Sequence, residues 1–85
     1  MLVTLSVVNT ASVFVYKRQI TFAKDDLTLK EFLILKNVTV DTIVEVKAGN
    51  GMNSLRSIEL SSIDDIHIGE LGSLYKPCFL HVVVG

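Results

Sequence analysis

The thirteen residues from Ile20 to Phe32, ITFAKDDLTLKEF, constrain the fold of this chain more than any other segment. They have the pattern of a strand, a short acidic turn and the start of a helix. Thr28 is a favourable N-cap residue, and Glu31 follows it at the spacing of a capping box. Leu27 and Phe32 hold the two positions of a hydrophobic staple around the cap. The segment therefore predicts a strand, a turn and a helix capped by Thr28.

Two strands are predicted before the helix. Residues Leu2 to Val8 alternate between apolar and polar side chains, which is typical of a half-buried strand. Val13 to Phe22 are predicted to form the second strand. The alternation of apolar and polar residues is imperfect there, because the apolar residues can share one face only if Arg18 lies on that face too. A bulge near 17–19, or an Arg18 side chain that reaches out to water, would resolve this. The residues expected to share the inward face are Phe14, Tyr16, Ile20 and Phe22.

The rest of the chain predicts three further strands and one helical turn. The helix is expected to end near Asn37. Strand 3 is expected at Thr42 to Lys47, followed by a turn at Ala48 to Gly51. Strand 4 is expected within Asn53 to Leu60. A helical turn at Ser62 to Ile66 and the last strand at Cys78 to Val84 complete the chain. The turn at 48–51 is rich in residues that tolerate positive φ. A loop that holds Gly69, Gly72 and Pro77 precedes the last strand.

Length, composition and charge indicate a single small domain spanning residues 1–85. An apolar fraction of 49% is ample for one core, and 85 residues are too few for two. The net charge of -1 is spread along the chain without a like-signed block, so we expect no nucleic-acid partner. Cys78 is the only cysteine, which excludes an internal disulfide and favours a reducing, cytoplasmic compartment.

The first 16 residues are apolar enough to suggest a signal peptide. However, they lack a positively charged start, and polar residues interrupt the run. The segment is also too short and too polar to cross a bilayer, so we expect no membrane partner. A β-hairpin is the favoured interpretation, and a secreted protein whose first strand is a signal remains the alternative.

Three segments of the chain resemble ubiquitin and its relatives. ITFAKDDLTLKEF resembles the segment that leads through a threonine cap into the main helix. VEVKAGNG resembles strand 3 and its hairpin, and Ser62 to Ile66 followed by Phe79 to Val83 resembles the helical turn and the last strand. The resemblance implies an α+β, ubiquitin-like β-grasp fold, in which a mixed sheet of four to five strands packs on one short helix.

The C-terminus tests what this resemblance implies about function. Protein modifiers of the ubiquitin kind need a flexible tail with two glycines, because the activating enzyme adenylates a terminal carboxylate on an uncluttered backbone. This sequence ends in three valines and Gly85, which disfavours a modifier. The related sulfur carriers place their glycines almost directly after the last strand. A sulfur carrier or modifier that acts through Gly85 is therefore the alternative function.

The best-known binding surface of ubiquitin is an apolar patch on the exposed face of its sheet. His81 and Val83 resemble the last-strand pair of that patch. If Val44 and Val46 are the buried pair of strand 3, the outward residues of that strand are Ile43, Glu45 and Lys47. This pattern places charge at the centre of the patch and argues against recognition by ordinary ubiquitin receptors.

The sequence predicts no catalytic, cofactor or metal site. Cys78 and His81 are three residues apart on a strand, which sends them to opposite faces and prevents a nucleophile–base pair. The glycines lack a phosphate-binding spacing. His67 has acidic neighbours at 64, 65 and 70 that could offer metal ligands, but these residues have the plainer role of capping and solvating a helical turn.

A surplus of apolar residues carries the functional prediction, because contiguous exposed apolar surface usually marks an interface. The residues that the pattern leaves outside are Leu2, Val8, Val13, Val15, Ile34, Leu35, Ile43 and Val83. We therefore predict a non-catalytic protein–protein interaction module that binds itself or is a subunit of a larger assembly. The candidate interaction residues are Val13, Val15, Lys17, Arg18, Ile34, Ile43, Glu45, His81 and Val83. Among these, Lys17 and Arg18 are candidate basic contacts, and Asp64 and Asp65 near the helical turn are candidate acidic contacts.

Overall fold

The computed structural model describes residues 1–11 and 16–85. Its strands and helices are β1 (Leu2–Asn9), β2 (Tyr16–Phe22), α1 (Leu29–Leu35), β3 (Ile43–Gly49), β4 (Arg56–Ile58), α2 (Ile68–Leu74) and β5 (Cys78–Val84). Single turns of 3₁₀ helix lie at Val40–Thr42 and Leu60–Ser62. The strands and α1 therefore follow one another in the predicted order.

In the described residues, five strands form one sheet in the order β2–β1–β5–β3–β4. β1 runs parallel to β5, and the other neighbouring strands are antiparallel. α1 connects β2, at one edge, to β3 on the far side of the parallel pair. A central parallel pair flanked by two antiparallel hairpins, with a helix joining them, is the β-grasp arrangement. The predicted α+β fold is confirmed.

The start of α1 follows the local sequence signals closely. The Glu31 N–H donates to Thr28 Oγ1 at 3.1 Å, and the Thr28 N–H donates to Glu31 Oε1 at 2.9 Å, which completes the capping box. Leu35 is the last helical residue, two positions before the predicted end. Asn37 ends the turn with a φ of 63°, a left-handed conformation that asparagine tolerates.

The core combines α1, α2 and the inward face of the sheet. Its largest fully buried apolar side chains are Leu29, Phe32 and Leu33 from α1, Ile68 from α2, and Val3, Leu5, Val46, Leu80 and Val82 from the sheet. Cys78 is also buried, and burial raises the pKa of its thiol. This cysteine therefore behaves as a small apolar side chain.

β2 differs from the prediction. Its register against β1 is continuous along all seven residues, so the bulge expected at 17–19 is absent. Because side chains alternate along a regular strand, Ile20 and Phe22 share the face of Arg18. That face lies opposite the core, and Ile20 is 73% and Phe22 68% exposed. The expectation that these two residues point inward is therefore wrong.

β3 contains an irregularity that the sequence pattern missed. Ile43 pairs with Val84 and Glu45 pairs with Val83, so the register shifts at Val44. Val44 is 60% exposed, whereas Ile43 packs against the core. The predicted buried pair is therefore correct for Val46 and wrong for Val44, and the predicted outward position of Ile43 is wrong. A bulge of this kind lets two residues of one strand oppose one residue of its partner.

α2 lies where the sequence predicted a loop, and the turn predicted at Ser62 to Ile66 begins earlier, as a 3₁₀ turn at Leu60–Ser62. Ile68 and Leu71 of α2 are buried, at the spacing of one helix face. The Glu70 carboxylate accepts a hydrogen bond of 2.7 Å from the His67 N–H at the start of this helix. Tertiary burial thus stabilises a segment too short to give a clear helical signal alone.

The turn after β3 uses its glycines differently from the prediction. None of the five glycines has a positive φ, so left-handed backbone does not explain them. A Cβ added at Gly49 would instead overlap the carbonyl oxygen of Ser54 and lie 2.9 Å from its carbonyl carbon. The hairpin between β3 and β4 therefore closes tightly because residue 49 has no side chain.

Candidate interaction surface

The outer face of the sheet, which is turned away from α1, carries an apolar patch on β1 and β2. Leu2 and Phe22 are direct cross-strand neighbours, and Ile20 lies two residues along, opposite Thr4. Leu2 is 66%, Ile20 73% and Phe22 68% exposed. We name these three residues the sheet-face patch. Because they are adjacent on one strand pair, they form continuous apolar surface.

A polar row crosses the sheet next to the patch. Its members are neighbours in the register of all five strands, and from β2 to β4 they are Arg18, Ser6, His81, Lys47 and Ser57. The row contains two cations, one titratable imidazole and two hydroxyls. The outer face is therefore apolar at one end of the β1–β2 pair and polar across its middle.

Ser6 is the buried centre of this row. Only 1% of the residue is exposed, although it points to the outer face. Its Oγ lies 3.1 Å from Nδ1 of His81 on the neighbouring strand, which satisfies the hydroxyl. The contact fixes the His81 ring against β1, so the predicted site residue His81 has one nitrogen engaged within the domain.

Glu45, His81 and Val83 are brought together on the outer face by the antiparallel pairing of β3 with β5. Glu45 lies opposite Val83, and Lys47 lies opposite His81. The Lys47 ammonium contacts the Glu45 carboxylate at 3.3 Å. The expected charge on this part of the face is therefore present, as a neutralised pair beside a histidine.

The remaining predicted residues lie apart from this group. Arg18 is on the outer face at the far edge, and Lys17 is on the opposite face of the same strand. Ile34 is 53% exposed on α1, and Ile43 belongs to the rim of the core. Val13 and Val15 lie outside the described residues.

Ile20 and Phe22 were missed as surface residues by sequence reasoning. The signal was present, because both share the parity of Arg18, a residue that seldom points into a core. The prediction gave up the regular alternation of the strand in order to bury two large apolar residues. If Arg18 points to solvent, regular alternation places Ile20 and Phe22 on the surface as well.

Gly85 is held against the sheet. Its N–H donates to the Thr42 carbonyl at 2.8 Å, next to β3. Thr10 donates to the Val84 carbonyl from its backbone N–H at 2.8 Å and from its hydroxyl at 3.0 Å. The backbone around the glycine proposed as a carrier terminus is thus engaged on both sides.

The described residues, 1–11 and 16–85, offer neither a metal-binding cluster nor a membrane-spanning helix. No group of three or more His, Cys, Asp or Glu side chains in these residues could hold a metal ion. The His67 ring lies near one carboxylate, that of Glu70, with Nδ1 3.8 Å from Oε2. In the same residues, no helix is long and apolar enough to cross a membrane.

No protein-family model matches the chain, and no curated protein matches it. Among solved structures, the solution structure of a ubiquitin-like domain from tubulin-binding cofactor B is similar, with 17% sequence identity, a TM-score of 0.49, and coverage of 98% of this chain and 89% of that one. By its own strand order and pairing, this chain has a ubiquitin-like β-grasp fold.

Proposed function

We propose that this protein is a non-catalytic, ubiquitin-like protein–protein interaction module that binds through the sheet-face patch. The exposure of Leu2, Ile20 and Phe22 as one apolar surface carries the proposal. Single exposed apolar side chains are ordinary on a protein surface, but a contiguous group on an open sheet face is typical of an interface. The binding partner is a second copy of the chain or a subunit of a larger assembly.

The patch offers enough apolar surface to matter for affinity. Complete burial of an isoleucine side chain is worth about 1.5–3 kcal/mol. Because 73% of Ile20 is still exposed, a partner that covers it would gain about 1–2 kcal/mol from this residue alone. That corresponds to roughly 5- to 30-fold in affinity, and in a symmetric dimer the gain counts twice.

Other properties of the chain fit this role. Residues 1–85 are proposed to act as one domain, because β1, β3, β5 and both helices contribute to one core, against which Ile58 of β4 packs. A single buried thiol suits the reducing compartment in which we propose that the protein works. The polar row at Arg18, Ser6 and His81 would form a rim beside the apolar patch, and Glu45 and Val83 would lie beyond this rim.

Light scattering across a dilution series tests the proposal. We expect a dimer or larger species that dissociates on dilution, and we expect the Ile20→Thr variant to shift this equilibrium toward the monomer. Val44→Thr is the matched control, since Val44 is also an exposed strand residue at 60% and lies at the opposite end of the sheet. Both changes keep a β-branched side chain and therefore the strand propensity.

Two outcomes would contradict parts of this proposal. If the wild type is a monomer at every concentration, self-association is excluded. The wild type and Ile20→Thr would then be compared by the size of the complex that each forms in cell extract. Equal effects of Ile20→Thr and Val44→Thr would exclude the patch as the interface. Loss of association on deletion of Gly85 alone would favour the sulfur carrier or modifier instead, since an interaction module should tolerate that deletion.

A further inference from the structure

Asn50 and Gly51 begin the turn between β3 and β4. Asn50 directly follows the last residue of β3 and is exposed, and β4 starts only at Arg56. A Cβ added at Gly51 would meet nothing within 4 Å, so the space around this residue is open. The side-chain amide of Asn50 and the backbone nitrogen of Gly51 are therefore neighbours at a place that water can reach.

An asparagine that precedes a glycine can react with its own backbone. The backbone nitrogen of the following residue attacks Cγ of the asparagine amide, which closes a five-membered ring. A side chain on the following residue hinders this approach, and glycine has none. The attacking nitrogen must also give up its proton, so an N–H that donates a hydrogen bond within the protein is held back from the reaction.

The asparagines of this chain differ in exactly that hydrogen bond. Three of the four are followed by a residue whose N–H donates to a backbone carbonyl. These bonds are Thr10 to Val84 at 2.8 Å after Asn9, Val38 to Leu33 at 3.0 Å after Asn37, and Ser54 to Gly51 at 3.0 Å after Asn53. Among the residues that the structure describes, the Gly51 N–H has no such acceptor. The nitrogen that follows Asn50 is thus the one that is neither hindered nor held.

We propose that Asn50 is a site of spontaneous deamidation, at which the chain modifies its own β3–β4 turn. The Gly51 nitrogen bonds to Cγ of Asn50, and the side-chain amide leaves as ammonia, with the proton that the Gly51 nitrogen gives up. The succinimide that remains is opened by water, which adds to either ring carbonyl and breaks its bond to nitrogen. One opening leaves aspartate at position 50 and the other leaves isoaspartate. Water is the co-reactant, and nothing is oxidised or reduced.

The two products differ in their effect on the hairpin. Aspartate adds one negative charge at an exposed position. Isoaspartate also places a further carbon atom in the main chain, directly after Gly49. The hairpin closes so tightly at this point that a Cβ on Gly49 would overlap the Ser54 carbonyl oxygen. A longer backbone disturbs this closure, so isoaspartate should loosen the pairing of β3 with β4. The reaction needs no partner and is independent of the proposed function.

Mass spectrometry of the full chain, incubated at neutral pH and body temperature, tests the proposal. Each deamidation raises the mass by the difference between an NH₂ and an OH group. Trypsin cuts after Lys47 and Arg56, so Asn50 and Asn53 fall in one peptide and are compared directly. Fragmentation should locate the mass gain at Asn50, and a methyltransferase specific for isoaspartyl carboxylates should label the incubated chain. The rate should rise with pH, because the attacking nitrogen reacts without its proton.

Three variants locate the reaction. Gly51→Ala puts a side chain on the attacking residue and should slow the reaction severalfold, while the fold has room for the added Cβ. Asn50→Gln would have to close a larger ring and should lose the isoaspartyl labelling. Asn53→Gln is the matched control in the same turn and should leave the rate unchanged. Thermal melting of each fresh variant verifies that it is folded.

Unfolding the chain tests the role of the hydrogen bonds. In guanidinium chloride the Ser54 N–H loses its carbonyl acceptor, so modification at Asn53 should become faster than in the folded chain. Equal rates at Asn50 and Asn53 in the folded chain, or a wild-type rate in Gly51→Ala, would overturn the proposal. So would an unmodified Asn50 under conditions in which the free peptide AGNGMNSLR, which matches residues 48–56, is converted.

Melting temperatures test the effect on the hairpin. Aged wild type, whose isoaspartate content the methyltransferase measures, should melt at a lower temperature than fresh Asn50→Asp. The latter carries the same new charge on an unchanged backbone, so it separates charge from backbone length. Equal melting temperatures would overturn the inferred loosening of β3 and β4.

Discussion

Removal of the Thr28 hydroxyl gives a direct measure of how α1 is anchored. The first N–H groups of a helix have no partner within the helix. Here the Leu29 N–H donates to the Ile66 carbonyl at 2.8 Å and the Lys30 N–H donates to the Ile63 carbonyl at 3.0 Å. The Glu31 N–H depends on Thr28 Oγ1. Thr28→Ala therefore leaves one donor without its protein partner, and water can reach it because this bond lies at the surface.

The expected cost of Thr28→Ala is about 1 kcal/mol, in the middle of the range of 0.5–2 kcal/mol for such caps. The neighbouring donors keep their partners, so the helix should persist. For a domain of this size, the change corresponds to a fall of about 4–8 °C in the melting temperature. Chemical and thermal unfolding followed by circular dichroism would measure it.

Two variants sharpen the test. Thr28→Ser keeps the oxygen and should restore most of the stability. Thr39→Ala removes a threonine at the start of a 3₁₀ turn where no side-chain cap bond exists, so it should cost only a few tenths of a kcal/mol. If Thr28→Ala and Thr39→Ala destabilise the domain equally, the capping argument is refuted.

The same cap predicts a pH dependence. Two hydrogen bonds with Thr28 lower the pKa of Glu31 from its ordinary value of 4.5. The larger effect comes from the Thr28 backbone N–H and the smaller one from the Thr28 side chain. A lowered folded-state pKa means that the carboxylate's stabilisation is complete above about pH 4.5 and is lost as the pH falls through the lowered value. The stability difference between the wild type and Glu31→Ala should therefore narrow in acid.

Two further predictions concern the core and the β3–β4 hairpin. Phe32→Ala should lower the free energy of unfolding in urea by about 3–5 kcal/mol, because Phe32 is only 1% exposed. Leu35→Ala on the same helix should lower it far less, because Leu35 is 65% exposed. Similar losses of stability in the two variants would contradict the assigned buried face of the helix. Gly49→Ala should destabilise the domain by about 1–3 kcal/mol through overlap with the Ser54 carbonyl, whereas Gly51→Ala, whose Cβ meets nothing within 4 Å, should be close to neutral.

The parts of the fold that depend on neighbours in sequence were predictable. The cap at Thr28 is complete within four residues, and the alternation of β5 is visible along Cys78 to Val84. The bulge at Val44 and the helix at Ile68–Leu74 depend on packing against distant strands, so no local pattern shows them. The surface patch is different, because the shared face of Arg18 and Ile20 is visible in the strand's own alternation.

The parallel pairing of β1 with β5 has a consequence for how the chain folds. Contacts such as that between Ser6 and His81 join residues 75 positions apart. β1 and β5 lie side by side between β2 and β3, so the two hairpins join into one sheet through this long-range pair. Closing so large a loop is entropically costly and slows folding. We therefore expect the chain to fold as a single late event, after β5 has been synthesised, with no stable native intermediate built from the first half alone.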